Sequence, residues 1–186
     1  SNYQLIPHFS NDSICFNLLE NGIAMEGVRC TIRSDLSQDK KEITLPYKTK
    51  INTALKYYTL ENEYANEQIT LKHLPLELGI EGGIKNDSFH IELINKQQLD
   101  ISWYIYQGAT LLHKGFDTAL SYKSIIEDRS KNYYVELHYT MGGHEQMLRR
   151  HFTFRESDLI IDFDIPEKVF PGQTIDATIT VTNSEG

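Results

Sequence analysis

The chain has 186 residues, of which 40% are hydrophobic and 24% are charged, and its formal net charge is -8. This composition supplies enough apolar side chains for a packed core and excludes an intrinsically disordered chain. The negative charge and the lack of a clustered basic stripe argue against nucleic acid as a partner. Apolar runs such as residues 159–161 are far shorter than the ~20 residues that span a bilayer, so we expect no direct membrane insertion.

Short segments rich in Tyr, Ile, Val, Phe and Thr alternate with turn residues along the chain, a pattern typical of β-sheets. In the first part of the chain it predicts strands at residues 3–9, 13–20, 27–33, 42–45, 55–61 and 68–72. Asn21 and Gly22 supply the positive backbone angles that a reversal between strands needs. We expect these strands to form a first β-sandwich over residues 1–75, ending at the break around Pro75.

Two cysteines, Cys15 and Cys30, lie on either side of this reversal. Because their midpoint falls in the turn, they could face each other across a hairpin and form a disulfide. A register change of one residue would put them on opposite faces, and they would then be two small buried thiols. The sequence leaves both alternatives open.

Seven further strands are predicted within roughly 80 residues, the number and spacing of an immunoglobulin-like sandwich. They lie at residues 77–81, 88–94, 101–107, 110–116, 119–125, 133–140 and 146–155. We therefore expect a second β-sandwich over residues 76–157. The period of two puts Ile101 and Trp103 in its core. The same period turns Tyr104 and Tyr106 outwards.

Tyr104 and Tyr106 are the candidate binding surface of the second sandwich. Flat aromatic rings on an outer sheet face make stacking platforms for a carbohydrate or a peptide. Tyrosines in β proteins also pack across strands and become partly buried. The sequence therefore predicts either a binding surface or cross-strand packing at these two positions.

No catalytic residue, cofactor site or metal site is predicted. The sequence has no Gly-x-Ser-x-Gly, GxxxxGK[ST] or GxGxxG motif, so we expect a protein that is not an enzyme. Zinc is suggested by His138, His144 and His151. A turn centred on residues 142–145 would place His138 opposite Arg149 and His151 opposite Glu136, so these two histidines would lie two residues apart in register and a third ligand would be absent. We expect an ion pair between Glu136 and the arginines at 149 and 150 instead.

The strand pattern begins again after residue 157. A strand at residues 159–165, the turn dipeptide Pro171-Gly172 and an alternating strand at residues 174–182 predict the first hairpin of a third module over residues 158–186. Acidic residues in this region lack the DxDxDG pattern of a calcium loop. Ser1-Asn2 resembles a remnant of tag cleavage, and residues 183–186 are a turn signal. We expect the chain to be a segment of a larger protein.

Residues 165–186, with Pro171-Gly172 before an alternating strand, resemble the first hairpin of a macroglobulin domain of the alpha-2-macroglobulin family. Residues 133–155 resemble the last hairpin of the preceding module. Residues 42–47 and Tyr57-Tyr58 are similar to bacterial, Bacteroidetes-type members. The family's Cys-Gly-Glu-Gln thioester motif occurs at neither cysteine, so no functional residue is carried over.

The resemblance implies an all-β fold of tandem immunoglobulin-like or macroglobulin-like β-sandwich modules. It also implies a non-catalytic structural or interaction segment of an exported protein, either a protease inhibitor or a cell-envelope scaffold. The partners would be neighbouring domains of the same chain and proteases or other proteins. The location would be the periplasm or the outer-membrane surface of a Gram-negative bacterium. The alternative is a carbohydrate- or peptide-binding β-sandwich module of a surface protein.

Overall fold

The computed structural model describes residues 1–154, 160–164 and 178–182. These residues form seventeen β-strands and one 3-10 turn, Leu71–His73, so the all-β prediction is confirmed. In this part of the chain no helix has the length and apolar character of a membrane span. The contacts divide the chain into two compact units, Ser1–Phe152 and Thr153–Gly186.

The first eight strands form two antiparallel sheets. They are β1 (Tyr3–Ser10), β2 (Ser13–Glu20), β3 (Ile23–Met25), β4 (Val28–Ser34), β5 (Ser37–Leu45), β6 (Tyr47–Lys50), β7 (Tyr57–Glu61) and β8 (Asn66–Thr70). Sheet A has the order β1-β2-β3, with β6 also paired to β2, and sheet B has the order β5-β4-β7-β8. Phe16 of sheet A meets Tyr58 of sheet B edge-on, with ring centroids 5.3 Å apart. Because the inner faces share one hydrophobic core, we call sheets A and B the first sandwich.

The next seven strands form two more antiparallel sheets. They are β9 (Leu78–Lys85), β10 (Ser88–Asn95), β11 (Ile101–Gln107), β12 (Thr110–Asp117), β13 (Ser121–Ile125), β14 (Tyr133–Met141) and β15 (His144–Phe152). Sheet C has the order β13-β10-β9 and sheet D the order β12-β11-β14-β15. Phe89 of sheet C stacks on Tyr133 of sheet D with ring centroids 4.2 Å apart, and Phe152 meets it edge-on at 5.2 Å. We call sheets C and D the second sandwich.

The reversal between β14 and β15 is tighter than the sequence predicts. Gly142 and Gly143 have φ angles of 62° and 71°, and Met141 pairs directly with His144. Two consecutive residues with positive φ make a two-residue hairpin turn that matches the twist of the strands. The register of the hairpin therefore differs by two residues from the predicted one, which assumed a longer turn.

This turn is docked on the first sandwich. Met141 is only 2% exposed and belongs to the core of the first sandwich. The Gly143 N–H donates to the Thr53 carbonyl at 2.9 Å. A Cβ atom at Gly142 would lie 2.8 Å from the backbone nitrogen of Lys72, so only glycine fits there. The tip of a hairpin from the second sandwich is thus part of the packing of the first.

The cysteines do not face each other across a hairpin, so that part of the prediction is wrong. Cys15 lies in β2, between His8 of β1 and Lys48 of β6. Cys30 lies in the other sheet, opposite Ile43. The reason is the short strand β3, which pairs with β2 before the chain changes sheets to begin β4. Both cysteines are free.

The second unit contains one described strand pair. Strands β16 (Ile160–Asp164) and β17 (Thr178–Thr182) are antiparallel, with Ile160 opposite Thr182. The predicted turn at Pro171-Gly172 lies outside the described residues. The division of the chain into domains at residues 1–75, 76–157 and 158–186 stays a prediction.

Candidate functional site

The outer face of sheet D carries the two tyrosines singled out from the sequence. Ile101, Trp103 and Ile105 are buried, as the period of two predicts. Tyr104 and Tyr106 alternate with them and are half-buried. They therefore lie on the other face of β11, away from the core that sheets C and D share.

The structure gives the two tyrosines different neighbours. Tyr106 stacks on Tyr134 of the adjacent strand, with ring centroids 4.6 Å apart and the planes 11° from parallel. The Arg149 guanidinium lies over the other ring of this pair, 5.5 Å from the centroid of Tyr134. Among the described residues, the ring contact of Tyr104 is an edge-on one with His138, with ring centroids 5.4 Å apart. Tyr106 thus takes part in cross-strand packing, whereas Tyr104 faces an open cleft.

The cleft has a volume of about 710 Å³ and lies where the two sandwiches meet. Its floor is the end of the outer face of sheet D, with Ser102, Tyr104, Phe116 and His138. One wall comes from the first sandwich and the other from the loop between β10 and β11. The first sandwich contributes Asp12, Lys50, Ile51 and Thr53 to its wall. The loop contributes Gln97, Gln98, Leu99 and Asp100. The lining is completed by Thr118, Tyr139, Thr140 and Glu145.

Hydrogen bonds hold both walls in place. In the first sandwich the Ile51 N–H donates to the Asp12 carbonyl at 2.9 Å. In the loop the Asn95 side chain accepts from the Leu99 N–H at 3.0 Å and donates to the Thr118 carbonyl at 2.8 Å. Gln98 has a positive φ of 53°, so the loop makes a sharp reversal beside the cleft. The cleft is therefore formed before any ligand arrives, as small-ligand sites usually are.

Glu136 and Arg149 form the ion pair that the sequence predicts on this face. The two residues are directly opposite each other on β14 and β15 and are in contact. Burial acts to raise the pKa of Glu136, but hydrogen bonds from Arg149 and His138 outweigh it and hold the pKa below its usual value. The pair ties the two strands together next to the cleft.

The histidine register differs from the predicted one. His138 lies opposite Met147 rather than Arg149, because the turn has two residues instead of four. His151 lies opposite Tyr134 rather than Glu136. Over the residues that the structure describes, no group of three or more His, Cys, Asp or Glu side chains is placed to hold a metal ion.

Sequence reasoning missed most of the cleft. Phe116 is 68% exposed and lies on the same outer face as Tyr104, one strand away. Its position could therefore have been inferred from the strand pairing. Asp12 and Thr53 were not identifiable, because they reach the cleft through contacts far apart in sequence. Their place depends on how the first sandwich meets the second.

Comparison with known proteins gives no family. No protein-family model matches the sequence, and no curated protein matches it. Among solved structures, the FN1–FN3 domains of chicken CNTN1 match with a TM-score of 0.25 and 7% sequence identity. The match covers 81% of this chain and 66% of that chain, which is just under two thirds of its length. The β-sandwich assignment rests on the antiparallel sheets and on the side chains that pack between them.

Proposed function

We propose that the chain is a non-catalytic structural or interaction segment of a larger protein, in which residues 1–152 act as one stiff element. The observation that supports this proposal is the docked turn at Gly142 and Gly143. Consecutive modules in a chain ordinarily move relative to each other unless the contact between them is extensive. Here a hairpin of the second sandwich supplies Met141 to the core of the first, so bending would expose apolar surface.

Two further contacts oppose bending. Tyr139, two residues before Met141 and on the same face of β14, also packs against the core of the first sandwich. The side chain of Gln97 is 4% exposed, and its Oε1 accepts from the N–H of Glu77 in the connection between the sandwiches at 2.9 Å. Moving the connection would leave this buried oxygen without its donor, which costs about 1–3 kcal/mol.

We extend the proposal to the alpha-2-macroglobulin type of exported protein. The support is the resemblance of residues 133–155 and 165–186 to macroglobulin hairpins, together with the succession of β-sandwiches. Its partners would be neighbouring domains of the same chain and proteases or other proteins, in the periplasm or at the outer-membrane surface. Cell fractionation with an antibody against this chain tests the location, and a cytoplasmic protein would refute it.

The stiffness of residues 1–152 is testable with two probes that the chain already contains. Trp103, the single tryptophan, reports on the second sandwich by its fluorescence. Cys30, 4% exposed in the first sandwich, reports by its alkylation, measured on its own peptide by mass spectrometry. We expect both probes to change at the same urea concentration. Two separate transitions would show that the sandwiches unfold independently and would contradict the proposal.

A second candidate function is ligand binding by the cleft, with Tyr104 as its aromatic residue. The observation that favours it is a preformed concavity of about 710 Å³ in which this tyrosine ring meets His138 edge-on and stacks on no ring of the part of the chain that the structure describes. Pockets of this kind at the junction of two modules are common binding sites. Loss of ligand binding on removal of the Tyr104 ring is the test.

A further inference from the structure

We propose that the cleft binds a neutral oligosaccharide. This inference rests on the binding function proposed above and does not depend on the macroglobulin proposal. The volume of about 710 Å³ lies in the upper part of the range of about 300–1,000 Å³ that small-ligand sites occupy. Several kinds of ligand would fit that space, so the chemistry of the lining decides between them.

Two aromatic rings on the floor offer apolar surface for sugar rings. Phe116 is 68% exposed on β12, and Tyr104 lies on the neighbouring strand β11. One face of a pyranose ring carries mainly C–H groups and packs well on a flat aromatic ring. A large exposed aromatic side chain beside a second one is therefore suited to a saccharide, whose polar hydroxyl groups point to the sides.

The remaining lining can bond those hydroxyl groups. Ser102, Thr118 and Thr140 contribute side-chain hydroxyls, which both donate and accept. Gln97 also lines the cleft, and its Oε1 accepts from the Glu77 N–H at 2.9 Å.

The charges of the lining disfavour an anionic ligand. Asp12, Asp100 and Glu145 supply carboxylates, whereas Lys50 is the one lysine or arginine of the lining. A phosphate, sulfate or uronic acid would meet net negative charge in a concave space, where fields are focused. Carboxylates are also strong acceptors for sugar hydroxyls. The expected ligand is consequently uncharged.

A peptide fits this cleft less well. The floor strands β11 and β14 each have a partner strand on both sides, so their backbone groups are already paired, whereas β12, which carries Phe116, is an edge strand of sheet D. Ile51 and Leu99 are the aliphatic residues of the lining, and Leu99 is itself buried. The cleft therefore lacks the apolar pockets that usually hold the side chains of a bound peptide.

The experiment measures binding of cellohexaose, maltohexaose, mannohexaose and xylohexaose to the full 186-residue chain by titration calorimetry. The variants are Tyr104→Ala and Phe116→Ala, and the matched control is Tyr106→Ala on the same strand face outside the cleft. We expect at least one of these sugars to bind, and each cleft variant to weaken it about tenfold. The control variant should bind within about twofold of the unchanged chain.

Three results would overturn the inference. The first is no binding of any of the four sugars at about 5 mM, which corresponds to a very weak affinity. The second is binding that Tyr106→Ala weakens as much as Phe116→Ala, which would place the sugar elsewhere on the face. The third is a random peptide library or oligogalacturonate binding in a Tyr104-dependent way while the neutral sugars do not. That third result would leave the cleft a binding site but refute its proposed ligand, and the two-probe unfolding test is unaffected by all three.

Discussion

The docked turn predicts a specific difference between two glycine substitutions. Gly142 and Gly22 both have positive φ, 62° and 85°, in two-residue hairpin turns. An added Cβ at Gly22 meets nothing within 4 Å, whereas at Gly142 it would lie 2.8 Å from the backbone nitrogen of Lys72. The two variants Gly142→Ala and Gly22→Ala therefore share the backbone strain and differ in the contact with the first sandwich.

The magnitudes follow from these two terms. A left-handed backbone angle costs an alanine about 1–2 kcal/mol, offset by about 0.4–1 kcal/mol of lost entropy in the unfolded chain. Gly22→Ala should accordingly lower the free energy of unfolding by about 1 kcal/mol. Gly142→Ala adds the overlap with backbone atoms that have little room to move, which overpacking studies place at about 1–3 kcal/mol. Its total is about 2–4 kcal/mol.

Urea unfolding followed by Trp103 fluorescence measures both variants against the unchanged chain. Because the turn holds the sandwiches together, Gly142→Ala should also separate the Cys30 alkylation transition from the Trp103 transition. The reasoning would be refuted by equal losses in the two variants, within about 0.5 kcal/mol. It would also be refuted by a Gly142→Ala protein in which both transitions still coincide after a loss of about 2 kcal/mol or more.

Three further predictions concern single side chains. Cys30 should react with an alkylating agent far more slowly than Cys15 in the folded chain, because burial raises the pKa of the Cys30 thiol and shields it, and intact mass should show two free thiols. Since the folded pKa of Glu136 lies below its usual value, its contribution to stability is present above about pH 4.5 and is lost as the pH falls through the folded pKa. Glu136→Gln should therefore differ from the unchanged chain near neutral pH and match it in acid. Gly115→Ala should lower stability by about 1–3 kcal/mol and shift the emission of Trp103, because the new Cβ would overlap the indole ring.

Each of these has a control in the same chain. Gly79→Ala, in a strand with no atom within 4 Å of the new Cβ, should leave the Trp103 emission unchanged. Arg149→Met should also reduce the pH dependence, because it removes one of the two partners that lower the pKa of the Glu136 carboxyl, while His138 remains. Equal alkylation rates at the two cysteines in the folded chain would show that Cys30 is not buried.

Strand positions were predictable because local alternation determines them. The period of two correctly separated buried Trp103 from outward-facing Tyr104, and strand β11 has the bounds that the sequence predicts. The turn at Gly142 and Gly143 was predicted two residues too long, since a glycine pair followed by polar residues is compatible with several loop lengths. The contact of this turn with the first sandwich, which the sequence pattern does not show, selects the two-residue turn.

Contacts between segments far apart in the chain could not be predicted from the alternation of apolar and polar residues. Cys15 and Cys30 were placed on one hairpin because nothing in the alternation marks where a chain leaves one sheet for another. The cleft has the same origin, since Asp12 and Gln97 meet there only because the sandwiches are fixed against each other. The outward direction of Tyr104 was predictable from the alternation along its strand. The sequence could not show that Tyr104 lines a cleft whereas Tyr106 packs on a neighbouring ring, and this difference required the structure.

Because the cleft has walls from both sandwiches, sugar binding and docking of the turn should be coupled. Thr53 lines the cleft and its carbonyl accepts the Gly143 N–H, so loosening the turn displaces one wall although Gly142 itself is not in the lining. A ligand that contacts both walls stabilises the docked state of the turn. By linkage, the factor by which docking raises the ligand affinity equals the factor by which the ligand raises the docking equilibrium. We expect Gly142→Ala to weaken binding of whichever hexasaccharide binds the unchanged chain, and Gly22→Ala to leave it within about twofold. Undiminished binding in a Gly142→Ala protein that has lost coincident unfolding would show that the ligand contacts only the second sandwich.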